Sequence, residues 1–299
     1  MKINFIGVPL FYGCDREGVN LGPNDLRERG IIELLEKNNH EVYDLGNLHV
    51  PEILESDKFA NHNKMKYLNA ILDVNKNLAH QVYSSLESKS FPLVIGGDHS
   101  LGLGSISGCS KYHDNMAVVW IDAHGDINTH ETSPSGNVHG MPLAAAMGIG
   151  HSALTDVYFQ GQKVKPENVF ILGARDLDEG ELKIIEDYKL NVYTTEDLRN
   201  LGIEEIMRRV HTTLIEKKID AIHLSYDIDS LDSTLVPGTG TPVADGLTVD
   251  ECKYMLKYLI GTRLVKSMDF VELNTRLEEG GDSTISICMD LLEHISKIL

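Results

Sequence analysis

The sequence predicts an α/β protein built around a parallel sheet. Short runs rich in Val, Ile and aromatic residues alternate from end to end with longer segments of helical periodicity, which is the pattern of βαβ units. Several runs are continuously apolar, as expected for strands that helices cover on both faces. The predicted strands are Ile3–Val8, Glu41–Leu45, Pro92–Ile95, Ala117–Ile121, Val169–Leu172, Asn191–Thr194, Ala221–Tyr226 and Lys266–Val271. Such a set of strands fits either a closed (β/α)₈ barrel or an open doubly wound sheet, and periodicity does not separate the two.

The predicted elements follow one another without a linker, repeat or low-complexity segment. The N-terminal run ends at Gly13 without a small-residue cleavage pattern, so we expect a strand there and not a signal peptide. Helical spacing is clearest between the second and third strands and after the last strand. The apolar positions there are Met65, Leu68, Leu72, Ala79, Val82 and Leu86, and then Ile285, Cys288, Leu292, Ile295 and Leu299. Asp282 is the predicted N-cap of the last helix, and residues 1–299 are expected to form one domain.

The composition excludes several classes of function. The 299 residues include 27 Lys and Arg against 45 Asp and Glu, so the formal net charge is −18. A chain this acidic repels phosphate backbones and anionic lipid, so neither nucleic acid nor a membrane is an expected partner. No stretch approaches about 18 consecutive apolar residues. Cys14, Cys109, Cys252 and Cys288 are too widely spaced for a zinc ribbon or a small disulfide scaffold, which favours reduced thiols in a cytoplasmic protein.

Acidic and histidine side chains cluster where predicted strands end, the edge at which both α/β architectures place their active sites. The third predicted strand ends at two glycines, and His99 follows them shortly after. The fourth is followed by Asp122, His124 and Asp126, whose spacing of two would place all three side chains on one side of an extended chain. Because carboxylates at the end of a buried strand are costly without a cation, we predict metal ligation in preference to a solvated turn.

A second pair of acids, Asp227 and Asp229, follows the seventh predicted strand with the same spacing. With Asp122, Asp126, His99 and His124 they make a set of four carboxylates and two imidazoles. This set is too acidic for one ion but suits two divalent ions. Oxygen-rich ligation without thiolate favours manganese or another hard-to-borderline metal over structural zinc. The sequence therefore predicts a binuclear metal centre.

Two further residues have functional interpretations. His139 lies in a small polar loop, Ser133–Gly140, shortly after the metal segment. A lone histidine is more often a helix-entry or core residue, but this position favours a catalytic or proton-shuttling role. Glu272 closes the eighth predicted strand and is either an anchor for a cationic group or an ordinary exposed strand-end residue.

Five motifs closely resemble those of the ureohydrolases, the superfamily of arginases and agmatinases, and among them the arginases. They are GGDHS at Gly96–Ser100, DAHGDIN at Asp122–Asn128, SPSGNVHG at Ser133–Gly140, SYDIDSLD at Ser225–Asp232 and PGTGTPV at Pro237–Val243. The resemblance runs over essentially the whole chain, and five motifs in this order form a highly specific signal. It implies an open three-layer α/β/α fold with a mainly parallel eight-stranded sheet, of the kind that arginases and deacetylases share.

The resemblance also implies an enzyme, a hydrolase with two Mn²⁺ ions per subunit that converts L-arginine to L-ornithine and urea by attack of a metal-bridging hydroxide. The ligands implied by position in the motifs are His99, Asp122, His124, Asp126, Asp227 and Asp229. Asp126 would also hold the proton of the hydroxide, His139 would be the general acid and proton shuttle, and Glu272 would bind the guanidinium group. Because such proteins are often trimers or hexamers, a homo-oligomer is expected.

Arginine differs from agmatine by its α-carboxylate. The resemblance assigns residues to this carboxylate and to the neighbouring α-ammonium group. The assigned residues are Asn128, Ser135 and Asn137 for the carboxylate, Asp178 and Glu181 for the α-ammonium group, and Thr241 for substrate binding. Agmatinases generally lack the Ser-Gly-Asn segment, so arginine is the predicted substrate. The alternatives are an agmatinase or another guanidino hydrolase, a noncatalytic metal-binding homologue, and a deacetylase-like amidohydrolase, although the last has one zinc.

The sequence departs from the family pattern at three places. Ser230 stands where Gly is usual, Thr275 stands where Pro commonly follows, and the rim loop Gly13–Gly18 is more acidic than usual. We expect these departures to affect the backbone conformation near Asp229 and the affinity for substrate.

Overall fold

The computed structural model describes residues 1–278 and 280–299, and within them eight strands form one parallel sheet. The strands are β1 (Lys2–Val8), β2 (Glu41–Asn47), β3 (Phe91–Gly96), β4 (Met116–Ile121), β5 (Val169–Ala174), β6 (Asn191–Thr194), β7 (Ala221–Asp227) and β8 (Val265–Val271). Their order across the sheet is β2-β1-β3-β8-β7-β4-β5-β6, and every neighbouring pair is parallel. The sheet is open, with β2 and β6 at its edges, so the barrel alternative is excluded and the predicted open sheet is confirmed.

Helices cover both faces of the sheet. They are α1 (Gly22–Glu28), α2 (Ile31–Lys37), α3 (Leu68–Glu87), α4 (Gly102–Tyr112), α5 (Pro142–Ala146), α6 (Ser152–Thr155), α7 (Glu179–Tyr188), α8 (Thr195–Leu201), α9 (Ile203–Glu216), α10 (Val249–Gly261) and α11 (Ser283–Ile298). Alternate side chains of β4 enter opposite cores, as the period of two in a strand requires. Ala117, Val119 and Ile121 pack with α1, α2 and α8–α11, whereas Val118 and Trp120 pack with α3–α7.

All eight predicted strands are present, and two helix boundaries differ from the prediction. Met65 is buried in the turn before α3, and α11 ends one residue before Leu299. Asp282 occupies the N-cap position of α11, but its carboxylate pairs with Arg29 at 2.7 Å and makes no capping bond. Glu278 caps the helix instead, because its carboxylate accepts hydrogen bonds from the first two backbone N–H groups of α11 at 2.8 and 2.9 Å.

The close approach of two backbone segments fixes the end of β3. A Cβ on Gly97 would lie 1.8 Å from the carbonyl oxygen of Leu10, so only glycine fits there. The chain then turns, and His99 enters the carboxyl-end edge of the sheet with 1% of its surface exposed. All four cysteines are buried and free. No helix within the described residues is both long enough and apolar enough to cross a membrane.

Candidate metal centre and active site

Four adjacent strands deliver the predicted site residues to one edge of the sheet. In sheet order they are β3, β8, β7 and β4, and at their carboxyl ends lie His99, Glu272, the pair Asp227 and Asp229, and the segment Asp122–Asp126. After β4 the chain continues to β5 on one side, and after β7 it continues to β8 on the other side, so a topological switch point of the open α/β sheet lies between β7 and β4. Ligand sites of such sheets form at this position.

The first candidate metal group surrounds Nδ1 of His99. This atom lies 3.0 Å from Oδ2 of Asp122, 3.2 Å from Oδ2 of Asp126 and 3.1 Å from Oδ2 of Asp227. All four side chains are buried. The donor atoms of His99, Asp122 and Asp227 all lie within 4.8 Å of one another, an arrangement suited to a cation, and Asp126 approaches the same nitrogen of His99.

The second candidate metal group shares one carboxylate with the first. Nδ1 of His124 lies 3.3 Å from Oδ1 of Asp122 and 3.2 Å from Oδ2 of Asp229. Asp122 therefore turns one oxygen towards each group, as a carboxylate that bridges two ions does. The structure brings all six predicted ligands together in two adjoining groups.

The hydrogen bonds of His99 show that a metal fits the first group. Nε2 of His99 lies 2.8 Å from Oγ of Ser225, whose hydroxyl donates to Asp269 at 3.4 Å. With Ser225 as the acceptor of the Nε2–H proton, Nδ1 is the nitrogen of His99 that faces the three carboxylates. Nδ1 is buried and makes no hydrogen bond among the described residues. A buried imidazole nitrogen facing three carboxylates needs positive charge at that point, from a proton or from a metal ion. An imidazole–oxygen donor set is one that borderline divalent metals accept.

The pKa shifts identify the same need for positive charge. Burial alone would lower the pKa of His99, but its carboxylate neighbours raise it well above the ordinary value. Burial opposes protonation of His124 as well, yet Asp229 and Asp122 raise its pKa well above the usual range. Burial and the neighbouring acids raise the pKa of Asp227. Without metal, protons supply part of the charge that the buried carboxylates require.

The local backbone differs from the extended segment that the spacing of acids suggested. Residues 122–124 form a bend directly after β4, and Asp126 adopts a left-handed backbone with φ of 53°. Asp229 lies in a turn of 3₁₀ helix after β7, where Oδ1 of Asp227 accepts its backbone N–H at 2.8 Å. The side chains therefore converge because the chain turns back, and the period-of-two argument was wrong about the conformation.

Trp120 supports both groups, although the sequence analysis gave it no role. Its indole ring stacks on the imidazole of His99 with centroids 3.8 Å apart and planes 9° apart. Its Nε1–H donates to Oδ2 of Asp122 at 2.9 Å. Trp120 thereby fixes the orientation of one imidazole and one carboxylate. A tryptophan next to an Asp-rich segment gave only a weak signal, because aromatic residues are common in buried strands.

Glu272 is buried rather than an ordinary exposed strand-end residue, with 1% of its surface exposed. Its Oε1 accepts the backbone N–H of His99 at 2.9 Å and lies 3.3 Å from Nδ1 of His139. Its Oε2 is buried and has no hydrogen-bond partner among the described residues. A Cβ on Gly240 would lie 2.5 Å from Oε2, so glycine keeps the space beside this oxygen open. Burial opposes protonation of His139, but Glu272 and nearby acids raise its pKa above the ordinary value.

The residues assigned to substrate line one cleft beside the candidate metal groups. They are Asn128, Ser135, Asn137, Asp178, Glu181 and Thr241. His124, Asp126 and His139 line the same cleft, and so does Asp176, which the sequence analysis did not single out. Oδ2 of Asp176 lies 3.8 Å from Nε2 of His124.

One end of the cleft is organised by the start of α7. Glu181 accepts backbone N–H groups of Ile127 at 3.1 Å and of Asp178 at 2.9 Å, and burial raises its pKa to about 7. Asp178 accepts the side-chain amide of Asn128 at 2.7 Å. The hydroxyl of Thr241 donates to Oδ2 of Asp229 at 2.9 Å, so this residue also orients a candidate metal ligand.

The other end of the cleft is held by Lys66, which the sequence analysis missed. Nζ of Lys66 lies 2.8 Å from Oδ1 of Asn137 and 2.8 Å from Oδ2 of Asp15. The side-chain amide of Asn137 also donates to the carbonyl of Cys14 at 3.1 Å. Lys58 lies 3.3 Å from the same Asp15 oxygen. The acidic rim loop is therefore paired with two lysines, and one of them positions Asn137.

The remaining two departures from the family pattern fit the fold without strain. Ser230 is buried outside the left-handed region, and its hydroxyl donates to the carbonyl of Asp227 at 2.7 Å. Thr275 donates its hydroxyl to Asp25 of α1 at 2.6 Å. Neither position requires the residue usual in the family.

The fold and the site define a class of protein, an open parallel α/β protein with two adjoining candidate metal groups at its switch point. Comparison with known proteins identifies the family, since the model of the Arginase family matches residues 1–296. An arginase from Bacillus subtilis (strain 168) is 41% identical over 293 residues, 98% of this chain and 97% of the relative. An arginase from Bacillus caldovelox is 40% identical over 290 residues, 97% of this chain and 96% of the relative.

Solved structures agree with these relatives. The crystal structure of Bacillus subtilis arginase matches with a TM-score of 0.92 and 40% identity, covering 99% of this chain and 98% of that chain. Entamoeba histolytica arginase, solved in complex with L-ornithine, matches with a TM-score of 0.90 and 32% identity, covering 99% of this chain and 97% of that chain. The chain belongs to the arginase family. The predicted family, fold and enzyme class, an arginase-type hydrolase, are confirmed.

Proposed function

We propose that the protein hydrolyses the guanidinium group of L-arginine to give L-ornithine and urea, with two Mn²⁺ ions per subunit. The observation that carries the proposal is the pair of adjoining ligand groups around a shared Asp122, beside a buried Glu272 with one free carboxylate oxygen. Arginases from two Bacillus species, about 40% identical to the chain, support the substrate. A relative of known structure was solved with L-ornithine, the proposed product.

The six ligands would hold two ions, with His99, Asp126 and Asp227 on one side, His124 and Asp229 on the other, and Asp122 facing both. When bound, the ions would supply Lewis acidity and lower the pKa of a water towards neutrality. Manganese is favoured because the donor set is rich in oxygen and has no thiolate.

The chain's own residues would bind and orient the guanidinium group. Oε1 of Glu272 is occupied by His99 N–H and by His139, so Oε2 is left to accept an N–H of the substrate. A hydrogen bond between a carboxylate and a guanidinium group is charge-assisted and directional. Glu272 would thus fix the reacting carbon over the two ligand groups.

Proton transfer would use His139 and Asp126. With Nδ1 of His139 bonded to Glu272, Nε2 is the atom that can carry an exchangeable proton into the cleft. Collapse of the tetrahedral adduct requires protonation of the departing amine, and an imidazole is suited to this near neutral pH. Asp126 would hold the proton of the attacking water while it also ligates.

The polar lining of the cleft would distinguish arginine from agmatine. Asn128, Ser135 and Asn137 would receive the α-carboxylate, and Asp178 and Glu181 would face the α-ammonium group. The whole chain would act as a single arginase-like unit, residues 1–299. A homo-oligomer, trimeric or hexameric, and a cytoplasmic location remain predictions.

Urea release from metal-stripped protein reloaded with Mn²⁺ tests the proposal. L-Arginine and agmatine are assayed in parallel, and elemental analysis counts the ions per subunit. We expect Mn²⁺-dependent urea from L-arginine and two ions per subunit. Mg²⁺ and Zn²⁺ reloading are the controls for metal identity.

The other outcomes separate the alternatives. Urea from agmatine in preference to L-arginine would keep the metal centre and refute the substrate assignment. Two bound ions without urea from either substrate would favour the noncatalytic homologue. A single bound ion at full activity would refute the binuclear centre.

A further inference from the structure

A cavity of about 730 Å³ opens at the edge of the sheet opposite the candidate metal centre. Lys2 of β1, Phe91 of β3 and Val265 of β8 line it at the amino ends of their strands, together with residues that follow α3 and α10. Small-molecule sites in proteins have volumes of roughly 300–1,000 Å³. We call it the basic cavity because Lys2, Lys89, Arg263 and Lys266 line it, and none of its described lining residues belongs to the candidate active site.

The floor of the basic cavity is apolar. Leu86, Phe91, Ile260 and Val265 contribute side chains that are buried in the core and reach the cavity at their edges. A hydrocarbon or aromatic ring placed on this floor would remove apolar surface from water, which favours binding. The floor therefore suits a ligand with an apolar body.

The rim of the basic cavity carries positive charge. Its charged side chains are Lys2, Lys89, Arg263 and Lys266, and none of its described lining side chains is a carboxylate. Met1, with its terminal ammonium, and Leu299, with its terminal carboxylate, also line the cavity, and these two charges offset each other. This is a local reversal of sign in a chain whose net charge is −18. Lys2 is only loosely paired, 4.0 Å from an exposed Glu41. The side chains of Lys89 and Arg263 make no ion pair or hydrogen bond within the described residues.

The positions of Lys89 and Arg263 also have an explanation that involves no ligand, and an experiment must distinguish it from ligand binding. Lys89 and Arg263 directly follow the C-caps of α3 and α10, with left-handed φ of 60° and 61°. A cation there offsets the negative end of a helix dipole. Lys189 and Lys218 follow other helices in the same conformation and do not line the cavity. The helix ends account for charge at each site, but not for unpaired charge gathered around an apolar floor.

We infer that the basic cavity binds a small organic anion. The ligand would have an aromatic or alkyl body on the apolar floor and one anionic group paired with Arg263 and Lys89. This inference is independent of the proposed hydrolysis, because it uses other residues at the opposite edge of the sheet.

A matched pair of fluorescent probes tests the inference on the full-length protein. 1-Anilinonaphthalene-8-sulfonate carries an anionic group, and N-phenyl-1-naphthylamine has the same rings without it. We expect the sulfonate to bind with a dissociation constant of about 10–100 μM, as ligand efficiency suggests for a probe of its size. The neutral probe should bind at least about tenfold more weakly, and salt should weaken only the sulfonate.

Charge-reversal variants locate the site. Arg263→Glu and Lys89→Glu should each weaken binding of the sulfonate about tenfold, whereas Lys183→Glu on the exposed face of α7 should leave it unchanged. Circular dichroism confirms folding, and urea release should be unaffected in all three variants. Equal binding of the two probes, or of the sulfonate to all variants, would overturn the inference. A changed elution volume for Arg263→Glu with unchanged probe binding would also overturn it, by indicating a contact between copies of the chain.

Discussion

Replacement of Lys66 by Met should weaken the binding of L-arginine and spare that of agmatine. Nζ of Lys66 lies 2.8 Å from Oδ1 of Asn137, the residue proposed to receive the α-carboxylate, and 2.8 Å from Oδ2 of Asp15. Only 15% of the Lys66 side chain is exposed, so water replaces its ammonium group poorly. Without Lys66 the amide of Asn137 keeps one anchor, the carbonyl of Cys14 at 3.1 Å.

The size of the effect follows from the lost contact. A hydrogen bond to a charged group contributes about 1.5–3 kcal/mol. The remaining bond to Cys14 retains part of the orientation of Asn137, so we expect a loss near the lower limit, about 1.4 kcal/mol. That corresponds to a rise of about tenfold in KM for L-arginine. The turnover number kcat should fall less than about threefold, because the guanidinium group reacts at the other end of the substrate.

Steady-state kinetics on Mn²⁺-loaded protein measure this effect, with agmatine used as a competitive inhibitor if it is not hydrolysed. Lys58→Met is the matched control, because Lys58 lies 3.3 Å from Asp15 and makes no bond to Asn137. Circular dichroism checks that both variants fold. Equal losses for L-arginine and agmatine, or the same loss in the control, would refute the role of Lys66 in positioning Asn137.

Three further predictions concern catalysis, metal binding and stability. His139→Asn should keep both ions but cut turnover by about 10²–10⁴, the usual scale for acid–base groups; unchanged turnover in the urea assay would remove His139 from the mechanism. Asp229→Ala should bind one ion fewer, since it removes one of three donors around its ion, and elemental analysis showing full occupancy would contradict the assignment. Lys163→Met should lower the free energy of unfolding by about 2–4 kcal/mol, measured by denaturant titration. The reason is that the ammonium group of this buried lysine donates hydrogen bonds to the carbonyls of Thr155 at 2.9 Å and Gly161 at 2.7 Å. An unchanged unfolding midpoint would show that these carbonyls need no charged donor.

The sequence predicted the strands well because each strand is a local apolar run, but the order of the strands is a long-range property. β3 pairs with β8, which begins 169 residues after β3 ends, and β4 pairs with β7. Periodicity reports which residues are buried and carries no information on which run pairs with which. The open sheet was therefore predicted from the family resemblance, and the choice between barrel and sheet could not be made from the runs themselves.

The same limit applies to the candidate site. The six candidate ligands could be proposed because their types and spacing are local, whereas the turn that brings Asp126 close to His99 could not be predicted. The residues that the analysis missed act on partners far along the chain. Ser225 contacts His99 across 126 residues, and Lys66 contacts Asn137 across 71. A serine or a lysine alone gives no signal of such a contact. The motifs therefore could not predict how the side chains of His99 and Asn137 are oriented.

The environment of Glu272 could be decided only when its sequence position was combined with the packing seen in the structure. From sequence it was equally an anchor for a cation and an exposed strand-end residue, since only packing decides whether a carboxylate at a strand end is buried. In the structure one oxygen supports the His99 backbone and His139, and the other stays free beside Gly240. A buried anionic oxygen without a partner is costly unless something binds it. The cost of that free oxygen is the physical reason to expect a cationic group beside Glu272, whose other oxygen contacts the candidate metal ligand His99 and the candidate acid His139.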